Sequence, residues 1–521
     1  MGMVAPQQWI ASANAVINGC HGDVSRYAAA RGVSRQRIYR EAAGTRDALS
    51  TRQQDDNARL RAELRQVWQK LAESERLRSL VVVIDEDKQA EVASFCQARG
   101  VSLRDGRTLL QLVTKGKVLS VASLGRRTQV AGTRAGQLLA VFDAAAQQLV
   151  REVAADEIYV KSPVLMVVEP ESMCWLSGQL SAEVSGTAWE PLFAALPNLE
   201  QVTRDGGSGL AKGVALVNAQ RQTDQQELVV DQGDHFHALR GGGVGLRKAE
   251  LRARQTFATA EAADKELAAC DRQGHKRTGP ALRVKYAWLK AEKAMDHWQE
   301  QERLWHKTKQ ALLLFTPTGE LNNRAQALAE LAETLPQLPD SGFAKTKRQL
   351  QKPEMLNYLD RVERKLAALP IAPELKQAVL RQEGLRRRPE VLQGASQPAA
   401  ALRGILLVCA VVLSKAGAEG QQAVAAIREI LRRAHRASSI VECLNSVLRM
   451  QQAGHRQMTQ GLLDLKRLYW NYQTFATGHR RKTTPYQRLG VTLPAGLSWW
   501  EVLKLTPEQL REKLSTVGMA A

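Results

Sequence analysis

No two cysteines in this chain are spaced as a metal-binding pair. The six stand alone at 20, 96, 174, 270, 409 and 443, which argues against a CxxC zinc site or a disulfide framework and leaves reduced packing residues. The opening Met1-Gly2-Met3-Val4-Ala5-Pro6-Gln7-Gln8-Trp9 lacks the basic start and apolar centre of a secretory signal, so a cytoplasmic protein is expected. Apolar runs are short as well. The longest, Gly404 to Leu413, falls well below the roughly 20 residues of a membrane span, so it is read as a buried helix with no membrane partner. Gly241-Gly242-Gly243 lacks the Gly-Lys-Ser/Thr of a nucleotide loop, since Gly245 is followed by Leu246-Arg247; it is read as a hinge.

What is present is length and positive charge. A chain of 521 residues, 44% hydrophobic with ten Trp, predicts roughly three or four folded domains of about 100 to 200 residues each. The 73 Lys+Arg against 53 Asp+Glu give +20, and the pI is near 9.9. Such a balance favours a polyanionic partner through phosphate contacts and counterion release, with nucleic acid foremost.

Along the chain, 1–50 reads as a helix-turn-helix DNA-binding domain. Val24 to Arg31 forms one helix, Gly32-Val33 the turn, and Ser34 caps a second helix that leaves Arg35, Gln36, Arg37 and Arg40 for a major groove. A plain helical hairpin with a solvated basic face would carry the same pattern. Residues 51–80 read as a helical or coiled-coil linker, with Leu60, Leu64, Val67 and Leu71 spaced 4, 3, 4. Residues 81–150 read as a further helix-turn-helix-like domain, in which Arg126 and Arg127 follow Gly125 and face DNA; an ordinary helical domain is its alternative. The texture then turns β-rich over 151–240, with runs at Glu157–Val160, Val164–Val168, Val202–Thr203 and Glu227–Val230. Helical pattern resumes over 241–433 and 434–490, and 491–521 is read as a C-terminal tail.

Three carboxylates stand out by context. Asp156 begins a β-patterned run, Asp205 follows a short strand and precedes Gly206-Gly207, and Glu442 shares a helical face with Asn445, Ser446 and Arg449. Glu157 is the nearest rival to Asp156, and strand alternation should point it to the opposite face. Asp231 and Glu429 are the rivals to Asp234 and Glu442.

Ala155-Asp156-Glu157-Ile158-Tyr159, Thr203-Arg204-Asp205-Gly206-Gly207 and Ser439-Ile440-Val441-Glu442-Cys443-Leu444-Asn445 together resemble the DDE-class transposases of insertion sequences. The resemblance covers Ala154 to Leu239 and about Ala434 to Gly490. It implies an α/β catalytic core, an RNase H-like mixed sheet with flanking helices split as 151–240 and 434–490, preceded by all-α helix-turn-helix domains. Asp234-His235-Phe236-His237 is similar to the C/D-x-x-H signature of several such families, which would set Asp234 and His237 beside the active site, while Arg449 matches a basic position near the DNA. The departure is the distance from Asp205 to Glu442, far longer than in compact members, so 241–433 is expected to be an α-helical insertion. Its Trp298 and Trp305 are read as core residues, with stacking on an unpaired DNA base as the minority reading.

The resemblance implies Asp156, Asp205 and Glu442 as catalytic metal ligands. Two Mg²⁺ ions suit such an all-carboxylate set, Mn²⁺ being able to replace them, because in-line attack on a phosphodiester needs one cation at the nucleophile and one at the leaving oxygen. Without cations the converging carboxylates should have raised pKa values. Around the site, Arg432, Arg433, His435 and Arg436, together with Arg480, Arg481 and Lys482, are expected to face DNA. The expectation is therefore a transposase that cleaves and joins double-stranded DNA at its element ends as a homo-oligomer. Its alternatives are a catalytically inactive sequence-specific repressor and an RNase H-like nuclease without strand transfer.

Overall fold

The computed structural model describes residues 6–79, 84–394, 396–452 and 457–518. Met1–Ala5 and the boundary expected between residues 80 and 81 lie outside them. The chain divides into two compact units, 1–85 with 109–118, and 86–108 with 119–521.

In the first unit, helices α1 (Pro6–Ile17), α2 (Asp23–Ala30) and α3 (Arg35–Ser79) bury Ala13, Ala28, Ile38 and Ala42. The turn after α2 uses Gly32 at φ 62°, a left-handed conformation glycine adopts without strain. Ser34 Oγ accepts from the amide of Arg37 at 3.3 Å, as a helix cap does. The buried Glu41 carboxylate takes Arg31 at 2.6 Å and the Ser12 hydroxyl at 2.6 Å, which ties the three helices. Arg35, Gln36, Arg37 and Arg40 are exposed. No break separates the expected first domain from its linker: α3 passes through residue 50, and Leu60, Leu64, Val67 and Leu71 are exposed along it.

The second unit contains a five-stranded sheet of β1 (Glu152–Val160), β2 (Ser162–Val168), β3 (Trp175–Leu180), β4 (Gln201–Arg204) and β5 (Val230–Gly233). Their order is β3-β2-β1-β4-β5. β1 pairs antiparallel with β2 and β2 with β3, whereas β1–β4 and β4–β5 are parallel. Strand alternation decides the layers. Val153 and Ala155 of β1 pack with Trp189 and Phe193 of α7 (Gly186–Ala194) and with Leu210 and Val214 of α8 (Ser208–Thr223). Ala154, Ile158 and Val160 face the other way, against the helix that carries Glu442.

Before the sheet come α4 (Glu86–Ala98), α5 (Leu103–Val113) and α6 (Val121–Leu149). No helix-turn-helix forms around Gly125: α6 runs unbroken through Gly125 and Gly136, and two of its glycines admit close neighbours. A Cβ at Gly132 or Gly136 would meet the backbone of Gly461 at 2.5 Å or the Asp464 carboxylate at 2.8 Å. Arg126 and Arg127 are exposed in the second turn of α6, and Arg127 pairs with Glu86.

After β5, α9 (His235–Gln273) and α10 (Thr278–Ala311) form a long hairpin. Phe257 meets Trp288 edge-on and the Trp288 indole donates to Asp264 at 2.6 Å. The glycine run is no hinge; it lies inside α9. A Cβ at Gly242 would sit 2.1 Å from the Trp305 ring, so the glycine admits an indole that is itself 2% exposed. That burial excludes Trp305 as a stacking platform, while Trp298 is half-buried. Seven further helices follow, α11 (Arg324–Gln337), α12 (Asp340–Leu350), α13 (Asn357–Ala367), α14 (Pro373–Arg386), α15 (Pro389–Gln393), α16 (Gln397–Lys415) and α17 (Gly417–Arg432). The expected helical insertion is thus present as helices, with a core around Leu331, Phe343, Tyr358 and Ile427.

α16 contains the Gly404–Leu413 run, and it is not a buried helix. Leu407 is 68% and Val408 63% exposed. By length and composition α16 could cross a membrane, the one such helix among the described residues. Last come α18 (Ser439–Gln452), α19 (Gln460–Tyr472), α20 (Pro485–Leu489), α21 (Trp499–Leu503) and α22 (Pro507–Gly518). The expected tail is folded: Val491, Val502, Leu503 and Leu510 enter one core with Leu138 and Phe142 of α6 and Leu465 and Leu468 of α19.

Candidate metal centre

The site begins with the pairing of β4 and β1, which ends at Arg204 opposite Ala155. Beyond that point one edge of β1 has no strand beside it, and the chain at Asp205 turns into the space. The Asp205 carboxylate accepts from the Gly207 amide at 2.8 Å, a turn that small residues permit. One carboxylate oxygen each from Asp156, Glu157 and Asp205 then lie within 4.8 Å of one another.

Glu157 therefore joins the cluster that alternation assigned it away from. Its Cβ leaves the far face, but no neighbouring strand closes that end of β1, and the longer side chain reaches the Asp205 turn. A Cβ on Gly207 would lie 3.0 Å from Asp205 and 3.9 Å from Glu157. One Glu157 oxygen is buried without a hydrogen-bond partner.

Glu442 arrives on α18, whose Val441, Leu444 and Leu448 pack on Ala154, Ile158, Val164 and Met166. That packing lays the helix along the Asp156 side of the sheet. Asn445, fully buried, donates from Nδ2 to the second Asp156 oxygen at 2.8 Å. The first accepts from the Glu157 amide at 2.9 Å. Glu442 is outside the tight trio but its charge reaches Asp156.

Asp234 and His237 lie beside Glu442. Asp234 caps α9 by accepting from the amides of Phe236 and His237 at 2.9 and 3.0 Å, and it accepts the Ser438 amide at 2.8 Å. His237 donates from Nδ1 to Asp234 at 2.5 Å, and its Nε2 lies 3.2 Å from Glu442. One imidazole thus spans two carboxylates. Arg449 reaches Glu442 from the other side at 3.4 Å.

The electrostatics follow from burial and crowding. Asp156 is pushed up to about 7, first by burial and then by the charges of Asp205, Glu442 and Glu157. Burial and then Asp205 raise Glu157 as well. Burial also pushes Asp234 upward, but the His237 hydrogen bond and three backbone amides outweigh it and leave this carboxyl low. The Asp234 hydrogen bond in turn raises His237. His235 is a different residue in kind: burial and then Arg436 lower it to about 4, and its Nε2 lies 2.6 Å from the Met355 carbonyl. It packs as a neutral ring.

The rivals resolve. Asp231 is bound by Arg204 at 2.6 and 2.7 Å, and Glu429 pairs with Arg432 and Arg433 at 2.6 Å. The basic cluster before Glu442 is largely spent within the protein. Arg432 also pairs with Glu171, His435 bonds Glu152 at 2.6 Å, and Arg436 donates to the Leu312 carbonyl. Arg480 donates to the Glu171 carbonyl at 3.1 Å, which leaves Arg481 and Lys482 exposed.

An all-oxygen donor set with a carboxyl raised to about 7 and an unpartnered buried carboxylate oxygen fits a hard divalent cation. Asn445 was visible as a neighbour of Glu442 but its bond to Asp156 was not, because helix periodicity says nothing about the strand beneath. No protein-family model matches the chain, and no curated protein matches it in sequence.

Proposed function

We propose that this chain is a DDE-class DNA transposase with an RNase H-like catalytic core, which binds its element ends, cleaves them and transfers the strand. The observation that supports the reading is the meeting of the Asp156, Glu157 and Asp205 carboxylates where β1 and β4 part, with Glu442 of α18 close enough for its charge to act on Asp156. The strand order and directions of the sheet support it. Mg²⁺ or Mn²⁺ held by Asp156, Asp205 and Glu442 would supply an activated water or 3′-hydroxyl and stabilise the leaving oxygen.

The chain's own groups prepare that site. Asn445 fixes the Asp156 carboxylate by its 2.8 Å bond, and Glu157 offers a fourth carboxylate at the same place. His237, anchored on Asp234, limits the rotation of Glu442. Exposed Arg35, Gln36, Arg37 and Arg40 on α3 are suited to a major groove, and two copies would pair two element ends in the cytoplasm.

The test incubates the purified chain with labelled DNA bearing candidate element ends and Mg²⁺. Intact protein should nick and join the strand, and Asp205→Ala should lower both by about 10³-fold or more. Nicking without joining would favour a nuclease; products that persist in Asp205→Ala would remove the site altogether.

A further inference from the structure

Away from the carboxylates, α9 and α10 enclose a groove of about 520 Å³ lined by Lys248 and Arg252 on the first helix and Lys290, Lys293 and His297 on the second. No acidic side chain lines it. On the same helices Glu250 holds Arg254, Glu266 holds Arg283 and Glu300 holds Arg303, at 2.6 to 2.7 Å, while Glu292 and Asp296 are exposed outside the groove lining. Lys248, Arg252, Lys290 and Lys293 are exposed and form no ion pair within 4 Å among the described residues. Gln301, only 4% exposed, contributes to the lining. Lys290 to His297 spans about 10 Å at about 1.5 Å rise per residue, the axial length of about three nucleotides on one strand at about 3.4 Å each.

We propose that this groove binds the phosphate backbone of duplex DNA, as a contact separate from the carboxylate site. The ligand class follows from charge: a row of fixed cations without carboxylates suits a repeating anion, whose binding releases condensed counterions. The groove's place on the helical insertion would make that insertion a second DNA-holding element. This inference rests on the proposed DNA-acting function, but it needs no chemistry to be tested.

Binding of the full-length chain to a labelled 40-base-pair duplex is measured against salt concentration in EDTA, so that metal chemistry plays no part. The double variant Lys290→Gln/Lys293→Gln should bind several-fold more weakly and lose about 2 from the slope of log affinity against log salt. Its thermal midpoint should stay that of the parent, and Lys265→Gln, an exposed change on α9 outside the groove, should bind as the parent does. Unchanged affinity and slope in the double variant overturn the proposal. So does unchanged duplex binding alongside lost binding to phosphatidylserine vesicles, which would assign the groove to a lipid surface. A groove effect in a chain that cleaves nothing with Mg²⁺ upholds this inference while sinking the transposase reading; normal cleavage without a groove effect does the reverse.

Discussion

Asp156 is 6% exposed and holds its proton up to about pH 7, so in the metal-free protein its ionisation works against folding. An unfolded Asp ionises near its ordinary value of 3.8; as pH rises from there to about 7, the unfolded chain has lost the proton and the folded one still binds it. Stability contributed by this group is therefore full below pH 4 and declines until pH 7, by an amount on the order of 2–4 kcal/mol. Asp156→Asn removes the decline. Its new amide can meet the Asn445 oxygen that has no partner if Asn445 turns over. Denaturant melts in EDTA should show Asp156→Asn more stable than the parent at pH 7.5 and about equal at pH 4. Equal stability at both values would mean that burial and the three neighbouring carboxylates do not hold this proton. If the proposed site binds Mg²⁺, added Mg²⁺ should raise the stability of the parent and not of Asp156→Asn, since a ligand bound only by the folded state raises its stability.

Helix α9 shows at the element scale how a residue type misleads when its neighbour is out of view. Three successive glycines read as a hinge because each weakens a helix by roughly 1 kcal/mol relative to alanine; the structure keeps the helix because Trp305, distant in sequence, fills the notch at Gly242. The two glycines then part company. Gly242→Ala drives a methyl into the indole and should cost about 1–3 kcal/mol, whereas Gly243→Ala, with nothing within 4 Å of its Cβ, should stabilise by up to about 1 kcal/mol. Thermal denaturation of the two variants decides: a destabilised Gly243→Ala would restore the hinge. The same blindness governed other elements. Runs of β-branched residues made β1, β2 and the neighbourhood of β4 legible, and of the residues the sequence singled out the structure brings Asp156 and Asp205 together and sets Asp234 and His237 beside Glu442. Glu157 was not legible, because alternation along one strand ignores where the adjacent strand stops. Trp175–Leu180 was passed over because Ser177, Gly178 and Gln179 interrupt its apolar pattern, while its partner β2 supplies the pairing. α16 looked buried because it is apolar; composition reports transfer free energy, not whether a neighbour exists to cover the helix.

At the scale of the whole chain, the helical insertion is tied to the sheet by a set of buried polar contacts in which the Arg361 guanidinium makes the most bonds. Arg361 of α13, 3% exposed, donates to Glu152 at 2.6 Å, Glu200 at 2.7 Å, Gln201 at 3.1 Å and the Arg433 carbonyl at 3.1 Å. Gln232 of β5 adds bonds to Met355 and Tyr358 at 3.1 and 2.7 Å. Cutting out residues 241–433 would therefore strip partners from three strands, β1, β4 and β5. Arg361→Ala takes a counter-charge from buried Glu152 and partly buried Glu200, leaving them His435 and Lys365, and should cost about 3 kcal/mol. The pH dependence carries its own sign. Burial pushes Glu200 upward, but Lys365 and Arg361 outweigh it and hold the carboxyl at about 2, below its ordinary 4.5. The stability it contributes, about 3 kcal/mol if the whole shift counts, is full above pH 4.5 and lost as pH falls toward 2. In Arg361→Ala the part of that shift due to Arg361 disappears while Lys365 remains, so the gap in stability between parent and variant should narrow on acidification from pH 6 to pH 2.5. Melting followed by both far-ultraviolet circular dichroism and tryptophan fluorescence checks it; a gap that stays constant through that range would mean that Arg361 acts by packing alone and that charge does not hold the insertion to the sheet.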